Sequence, residues 1–451
     1  MTLKKNQDIE LNIHGCTAEG SGVGKYEGIT VFVSGAAPGD TLITHIIKVK
    51  KTYAVGIIKE ILIPSPDRIP VDCPYFTSCG GCVFRHISYE AEKRIKKQRV
   101  EDAFHRIGHI DIEVGEVVTS STERYRNKAQ YPVGIDKNGK VTAGFYAFKS
   151  HRIVGCDDCL LQPREFAEIT SAVKEWAEEN GVSVYDGEAH KGLLRHIYIR
   201  KGFATGETAL CLVINGEDIP KSQQLLEKLG RFTQIKSVVL NINREKTNVI
   251  LGEKCKTLWG REYIEDKLCS VRLKISPNSF YQVNHGCAQL LYEKTAELCS
   301  LTGSETVLDL YCGTGSIGLS MAEKTKKIIG VEIVPDAVKN ARENAEAAGI
   351  LNAEFYCMDA FEAAKMLKEK GISPDVVILD PPRKGCDREL LKTVSQMSPE
   401  KLVYVSCDVA TQARDCQILE TLGYKARKAT PVDMFPRTGH VETVVLMSRV
   451  K

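Results

Sequence analysis

Sixteen cysteines run through the 451 residues, and a few of them stand where a thiol could do chemistry. Y-V-S-C-D, residues 404 to 408, places Cys407 just past an apolar run and just before an acid. As a thiolate it would be a nucleophile; packed in a core it would be one more small hydrophobe. C-P-Y-F-T-S-C-G-G-C supplies Cys73, Cys79 and Cys82 in the pattern C-x5-C-x2-C. The glycines let that loop curl, and three close thiols suggest a metal centre whose fourth ligand comes from far along the chain. The next cysteines, in G-C-D-D-C-L-L-Q, are Cys156 and Cys159. Cys79, Cys82, Cys156 and Cys159 would also make a four-thiolate zinc site, leaving Cys73 idle. Spacing leaves both metals open.

A cofactor site is written in D-L-Y-C-G-T-G-S-I-G, residues 309 to 318. Gly313, Gly315 and Gly318 satisfy G-x-G-x-x-G directly after a strand-like run and at the start of a helix. The next strand-like run ends in Glu332, suited to paired ribose hydroxyls. A nicotinamide cofactor would fit this much. No hydride-transfer site is evident, however, and the fourth run ends in D-P-P-R, residues 380 to 383. An acid and two prolines make a rigid loop at the carboxyl edge of the sheet, where open α/β folds bind ligands. These two features favour S-adenosylmethionine. Asp359, ending the third run, reads equally as an adenine neighbour or a helix N-cap.

Those residues need a scaffold, and the hydrophobic rhythm describes one. From about residue 266, E-T-V-L-D-L, K-I-I-G-V-E-I, A-E-F-Y-C-M-D, D-V-V-I-L-D and K-L-V-Y-V-S-C alternate with helical patterns. That is the signature of βαβ units and a doubly wound parallel sheet, an α/β Rossmann-like domain over 266–451. The last two runs, Y-K-A-R-K-A-T and V-E-T-V-V-L-M, should pair as an antiparallel hairpin at its edge. Residues 1–60 carry short alternating strands between glycine turns, as in a small OB-like β-barrel. A mixed α+β central domain, 61–265, holds the cysteine-rich turn. After that turn comes the helical stretch Y-E-A-E-K-R-I-K-K-Q-R-V-E-D-A-F, with apolar residues on one face and Lys and Arg on the other.

The composition, 43% hydrophobic and 26% charged, is that of a globular protein. The first residues lack an apolar signal region and no apolar stretch would span a bilayer, so the expectation is a cytoplasmic protein without membrane contact. Thiols in a reducing compartment serve as ligands, nucleophiles or core residues rather than disulfides. The net charge is only +3, but Arg124 to Arg152 holds seven Lys/Arg against one acid, Asp136. Tyr125, Tyr131, Phe145, Tyr146 and Phe148 are interleaved with them. Cations for phosphates and aromatic faces for unstacked bases suit single-stranded RNA; a basic strand face with aromatics in a core is the alternative.

Taken together, S-P-N-S-F-Y-Q-V-N (276 to 284), D-L-Y-C-G-T-G-S-I-G, D-P-P-R-K-G, V-Y-V-S-C-D and G-H-V-E-T-V resemble the RNA uracil-C5 methyltransferases, in that family's order. By position, the resemblance implies cofactor contacts at Gln282, Tyr311, Glu332 and Asp380. It also implies Cys407 as nucleophile and Glu442 as the base that removes a proton. The barrel resembles a TRAM domain. With the C-x5-C-x2-C pattern it resembles the branch acting on 23S ribosomal RNA, which carries a [4Fe-4S] cluster. That branch implies Cys73, Cys79, Cys82 and Cys159 as ligands, with Cys156 a bystander and zinc the alternative metal. The expected substrate is a uridine flipped from an RNA loop, the expected enzyme a monomer. A tRNA-directed member of the family is the near rival. A nicotinamide oxidoreductase and a non-catalytic RNA-binding iron–sulfur protein are remoter ones.

Overall fold

The computed structural model describes residues 3–269 and 271–450. Five strands come first: β1 (Asp8–Cys16), β2 (Ser21–Tyr26), β3 (Ile29–Ser34), β4 (Thr41–Val49) and β5 (Tyr53–Ile63). Buried and exposed positions alternate along them, as with Ile9, Leu11 and Ile13 in β1, so each strand has one face to hide. They close into a barrel in the order β1-β2-β3-β5-β4, the expected OB-like architecture. Closure removes the free edges that an open sheet would expose.

Next come α1 (Tyr89–Ala103), β6 (Glu113–Val114), β7 (Lys128–Ile135), β8 (Val141–Tyr146), β9 (Ile153–Gly155) and α2 (Arg164–Glu179). After these follow β10 (Leu194–Lys201), β11 (Thr208–Ile214), α3 (Ser222–Leu229), β12 (Ile235–Ile242) and β13 (Lys254–Gly260). A seven-stranded sheet runs β13-β12-β11-β10-β7-β8-β9. Its core includes Trp176 from α2 and Leu225 from α3.

A short antiparallel pair, β14 (Ile264–Leu268) and β15 (Val271–Ile275), leads into α4 (His285–Cys299). The chain then alternates: β16 (Thr306–Leu310), α5 (Ser316–Ser320), β17 (Lys327–Glu332), α6 (Pro335–Ala347), β18 (Ala353–Cys357) and α7 (Ala360–Glu369). It ends with β19 (Val376–Leu379), α8 (Arg388–Met397), β20 (Lys401–Ser406), α9 (Val409–Thr421), β21 (Tyr424–Val432) and β22 (Glu442–Arg449). These strands form one sheet in the order β18-β17-β16-β19-β20-β22-β21-β6. The first five are parallel and buried on both faces; all four residues of β19 are sealed. Strand order reverses between β16 and β19, the switch point where such sheets bind ligands.

Three details depart from the sequence pattern. The β21–β22 hairpin forms as expected, but β22 inserts between β20 and β21, and β6 from the middle of the chain adds outside β21. In α1, capped by Ser88, the buried stripe of Ala91, Val100 and Ala103 also contains Glu92 and Lys96. The basic face read from periodicity thus turns one of its lysines inward, because Asp433 waits there at 2.7 Å. The basic, aromatic stretch divides as well: Tyr125 and Tyr131 are core residues, while Tyr146 and Phe148 stay exposed. Of its cations, Arg124 is bound to Asp158, and burial draws Lys128 down to about 8.

Candidate active site

At the carboxyl end of β16 the chain turns sharply. Tyr311 takes a left-handed backbone, φ 66°, that a bulky side chain seldom adopts, and such strain collects at functional turns. The turn lets the Cys312 N–H reach Val331 O at 3.0 Å. At Gly313, φ +55°, a Cβ would meet nothing within 4 Å, so bare backbone faces open space. Gly318 is the opposite case: a Cβ would sit 3.0 Å from Asp309 Oδ2, which already accepts the Gly318 N–H at 3.0 Å. Glu332 ends β17 and straps the turn, accepting from the N–H groups of Gly313 (3.1 Å), Ile333 (2.8 Å) and Val334 (2.9 Å).

Three carboxyls therefore crowd this corner. Burial pushes Asp309 up to about 7, and the charges of Asp380 and Glu332 add to the effect. Its Oδ1 has no hydrogen-bond partner. Loss of water likewise raises Asp380, the residue after β19, to about 7. Carboxyls held this high are relieved by a positively charged ligand. Gln282 lies just before α4 and is tied by its backbone to the central domain. Its carbonyl accepts from Asn127 Nδ2 at 2.7 Å, two residues before Asn284 caps α4. Farther along that helix the Tyr292 hydroxyl meets Ser316 Oγ at 2.9 Å, beside the glycine turn. Asp359 is the N-cap of α7, its carboxylate accepting from Phe361 and Glu362 N–H.

The S-C-D turn has a local explanation. Asp408 N–H bonds Ser406 Oγ, and the Asp408 carboxylate caps α9 by accepting from Ala410 and Thr411 N–H, each at 3.1 Å. Serine and aspartate make the strand-to-helix corner and leave Cys407 half-buried between them. In the antiparallel register Ser406 faces Thr443, so one step further Cys407 lies beside Glu442. Glu442 is 6% exposed, and burial pushes it up to about 8, with Asp380 raising it further and Arg383 opposing. Burial and the Glu442 charge also push the Cys407 thiol up, while the Arg383 charge pulls it down. Asp380, Arg383, Cys407 and Glu442 form one cluster. Sequence reasoning passed over Arg383. The signal was its place in D-P-P-R, where two prolines aim the residue that follows the acid.

A second constellation lies apart. Cys73, Cys79, Cys82, Cys156 and Cys159 line one cavity of about 120 Å³, together with Arg85 and Arg126. Chain segments some eighty residues apart in sequence converge there. Burial raises Cys73 and Cys79 and takes Cys82 up to about 12, whereas a hydrogen bond from Cys156 draws Cys159 down to about 7. All five are free thiols. Among the described residues no three His, Cys, Asp or Glu side chains stand ready-made around one ion.

An eight-stranded sheet with a glycine turn after its central strand, an acid ending the next, and a rim at the switch point is the Rossmann-like arrangement, and the comparisons with known proteins make it that of an S-adenosylmethionine-dependent methyltransferase. The model of the tRNA (uracil-5-)-methyltransferase family matches residues 224–450. An uncharacterized RNA methyltransferase of Clostridium tetani is 45% identical over 99% of this chain and 97% of its own length. One of Halalkalibacterium halodurans is 44% identical over 99% and 98%. The crystal structure of Pyrococcus abyssi tRNA (uracil-54, C5)-methyltransferase in complex with S-adenosyl-L-homocysteine superposes with a TM-score of 0.77 at 28% identity, covering 97% of this chain and 100% of that one. The chain belongs to this family of RNA uracil-5-methyltransferases.

The cluster makes a definite demand of Arg383. Replacing it with methionine (Arg383→Met) removes the cation that favours the Cys407 thiolate, so the thiol pKa rises and alkylation of Cys407 by iodoacetamide at neutral pH should slow, the thiolate fraction falling about tenfold for each unit of the rise. Unchanged alkylation, read by peptide mass spectrometry, would show that the arginine does not tune the sulfur.

Proposed function

We propose that this enzyme methylates C5 of specific loop uridines in 23S ribosomal RNA, through a covalent bond between Cys407 and the base. The observation that carries the reading is the meeting of Cys407, Arg383, Glu442 and Asp380 on one rim. C5 of uracil is too weak a nucleophile to take a methyl group unaided. Cys407 as thiolate adds to C6, and the electron pair moves onto the ring, making an enolate with a nucleophilic C5. S-adenosylmethionine, when bound, supplies the methyl group as an electrophilic carbon on a sulfonium. Gln282, Tyr311, Glu332 and Asp380 would hold it, and the carboxyl-rich corner suits its positive charge. Glu442 then takes the proton from C5, the C6–sulfur bond breaks, and the pair returns to Cys407. Holding these groups in line accounts for roughly 7–11 kcal/mol of barrier in the best cases.

In the same reading Cys73, Cys79, Cys82 and Cys159 would hold a [4Fe-4S] cluster in the thiol cavity, which they line together. Four thiolates carry negative charge, and the cavity wall holds Arg85 and Arg126, whose Nη1 and Nε are buried without partners. Cys156 touches Cys159, so the four-thiolate zinc arrangement remains the rival. Methyl transfer needs no redox step, and a cluster there would hold the RNA-binding region together. The barrel as a TRAM module, with exposed Tyr146, Phe148 and Lys149 over the Phe148 ring at 5.0 Å, would grip the flanking strand. No helix among the described residues is long and apolar enough to cross a membrane. A monomer in the cytoplasm fits this role. The Pyrococcus neighbour's tRNA specificity makes tRNA the second reading.

Three outcomes test the proposal. Cys407→Ala should abolish methyl transfer and the adduct with 5-fluorouridine RNA while still binding S-adenosylhomocysteine; appreciable turnover would sink the mechanism. Glu442 accepts a proton only when ionised, and burial pushes it up to about 8. Tritium release from [5-³H]uridine RNA should therefore rise with pH through that value, one proton per turnover, and lose this limb in Glu442→Gln. Given purified 23S and tRNA transcripts, the enzyme should methylate the ribosomal one and arrive from purification brown, with iron and sulfide. Preference for tRNA would transfer the assignment, and stoichiometric zinc without iron would replace the cluster.

A further inference from the structure

Glu442 is delivered to the rim by the loop 433–441, which joins β21 to β22. Buried charges hold that loop. Lys96 Nζ donates to Glu92 Oε1 and to Asp433 Oδ1, both at 2.7 Å, and all three side chains are sealed from solvent. The same ammonium reaches Phe435 O at 3.3 Å, and the Tyr89 hydroxyl donates to Asp433 Oδ2 at 2.9 Å. Glu92 Oε1 also accepts the Arg437 N–H at 2.7 Å. Arg99 donates to Gly439 O, three residues before Glu442.

None of these groups belongs to the cofactor corner or the Cys407 cluster. A lysine and two carboxylates sealed in a core gain little net stability, because each ion loses its water. What they impose is geometry: each carboxylate needs the ammonium within hydrogen-bond reach, and Glu92 also needs Arg437 of the loop, whose Nη1 lies 3.7 Å from its Oε2, so few arrangements of the loop pair both acids. The loop is also where the other units press on the catalytic strand. Val83 and Phe84, just after Cys82, donate to Arg437 O at 2.8 and 3.3 Å. Gly439 lies so close to the barrel that a Cβ there would be 1.7 Å from Ala18 O. Arg126, from the thiol cavity, stacks over the Phe435 ring at 5.9 Å, and Phe435 meets His440 edge-on at 5.9 Å.

We propose that Lys96, with Glu92 and Asp433, is a positioning device for the proton-accepting step: it fixes the 433–441 loop so that Glu442 faces the base bonded to Cys407. The proposal rests on Glu442 being that acceptor. Its consequence is selective. Thiolate addition and methyl transfer use Cys407 and the cofactor corner, and only the later proton removal needs the loop in place. Lys96→Met should slow tritium release by about 100-fold, the scale of an ångström's misplacement. It should also accumulate the methylated covalent complex on ordinary uridine RNA, seen as a band stable to denaturing electrophoresis. Adduct formation with 5-fluorouridine RNA and the KM for S-adenosylmethionine should stay as in the parent, and Lys96→Arg should recover most of the release rate.

A purely structural lysine would behave otherwise, lowering adduct formation and release together. That result, or release at the parental rate, overturns the proposal. If Lys96→Met does not fold, Asp433→Asn carries the same expectation and the same failure, since it weakens the pairing while keeping the side-chain shape. Glu442→Gln run beside them separates the two claims. Normal release in that variant removes the acceptor role itself. Trapped adduct in Glu442→Gln with normal release in Lys96→Met removes only the positioning.

Discussion

β22 runs antiparallel between β20 and β21, and its register decides which side chains meet at the rim. Ser406 opposite Thr443 brings the sulfur of Cys407 alongside the carboxyl of Glu442. A slip of one residue would turn every β22 side chain to the other face, carrying the carboxyl away from the sulfur. The register is locked from both flanks, since Val432 on β21 also pairs with Glu442. Gln412 adds a buried clamp, its amide donating to Tyr404 O at 2.8 Å and to Thr443 O at 3.0 Å. A parallel sheet alone could not do this. Parallel neighbours place all their carboxyl ends on one rim, whereas an antiparallel insertion brings the start of one strand beside the end of another.

Electrostatics at the rim follow from that packing. Water is excluded enough to hold Asp309 and Asp380 at about 7 and Glu442 at about 8. Acids in this range switch protonation near neutrality, which suits a group that must accept and later return a proton. Arg383 is the counterweight. It lowers both Cys407 and Glu442, and its own loop is pinned from α9, where Thr411 Oγ1 donates to its carbonyl at 3.1 Å and Arg414 to Lys384 O at 3.0 Å. Farther along α9, Asp415 accepts from the Cys386 N–H and the Tyr404 hydroxyl, both at 2.7 Å, tying the D-P-P-R loop to β20.

Much of this was legible in the sequence where the signal is local. The five parallel strands, the glycine turn and the closing hairpin are each specified by residues within a short window, and each formed as its pattern implied. The features that escaped depend on partners far away. Nothing near Lys96 announces that its charge will be buried, because the carboxylate that requires it lies 337 residues later. β6 is only two residues long and gains its place from β21. Tyr125 read as a surface for bases, yet its hydroxyl donates to Pro436 O across 311 residues. Asp359 was ambiguous for the opposite reason: capping is local, and either role puts an acid at a strand end.

Depth alone does not separate a reactive thiol from a packing one. Cys386 lies on the same loop as Arg383, three residues on, and burial with the Asp415 charge pushes it up to about 12. Cys312, in the glycine turn, is raised by burial and by Asp309 and Glu332. Cys407 is less enclosed than either and feels the opposing charge of Arg383. The difference is made by two short sequence devices. Ser406 and Asp408 turn the chain so that the sulfur stops at the rim, and the D-P-P-R loop, pinned from α9, brings the arginine's charge to it. A serine–aspartate corner without the arginine would leave burial and the Glu442 charge unopposed in pushing the thiol up. An arginine without the corner would find its sulfur inside the sheet, where a thiolate has no solvation to replace water. Both are needed at one rim, which is why five residues around a single strand end carry more functional information than the sixteen cysteines taken together.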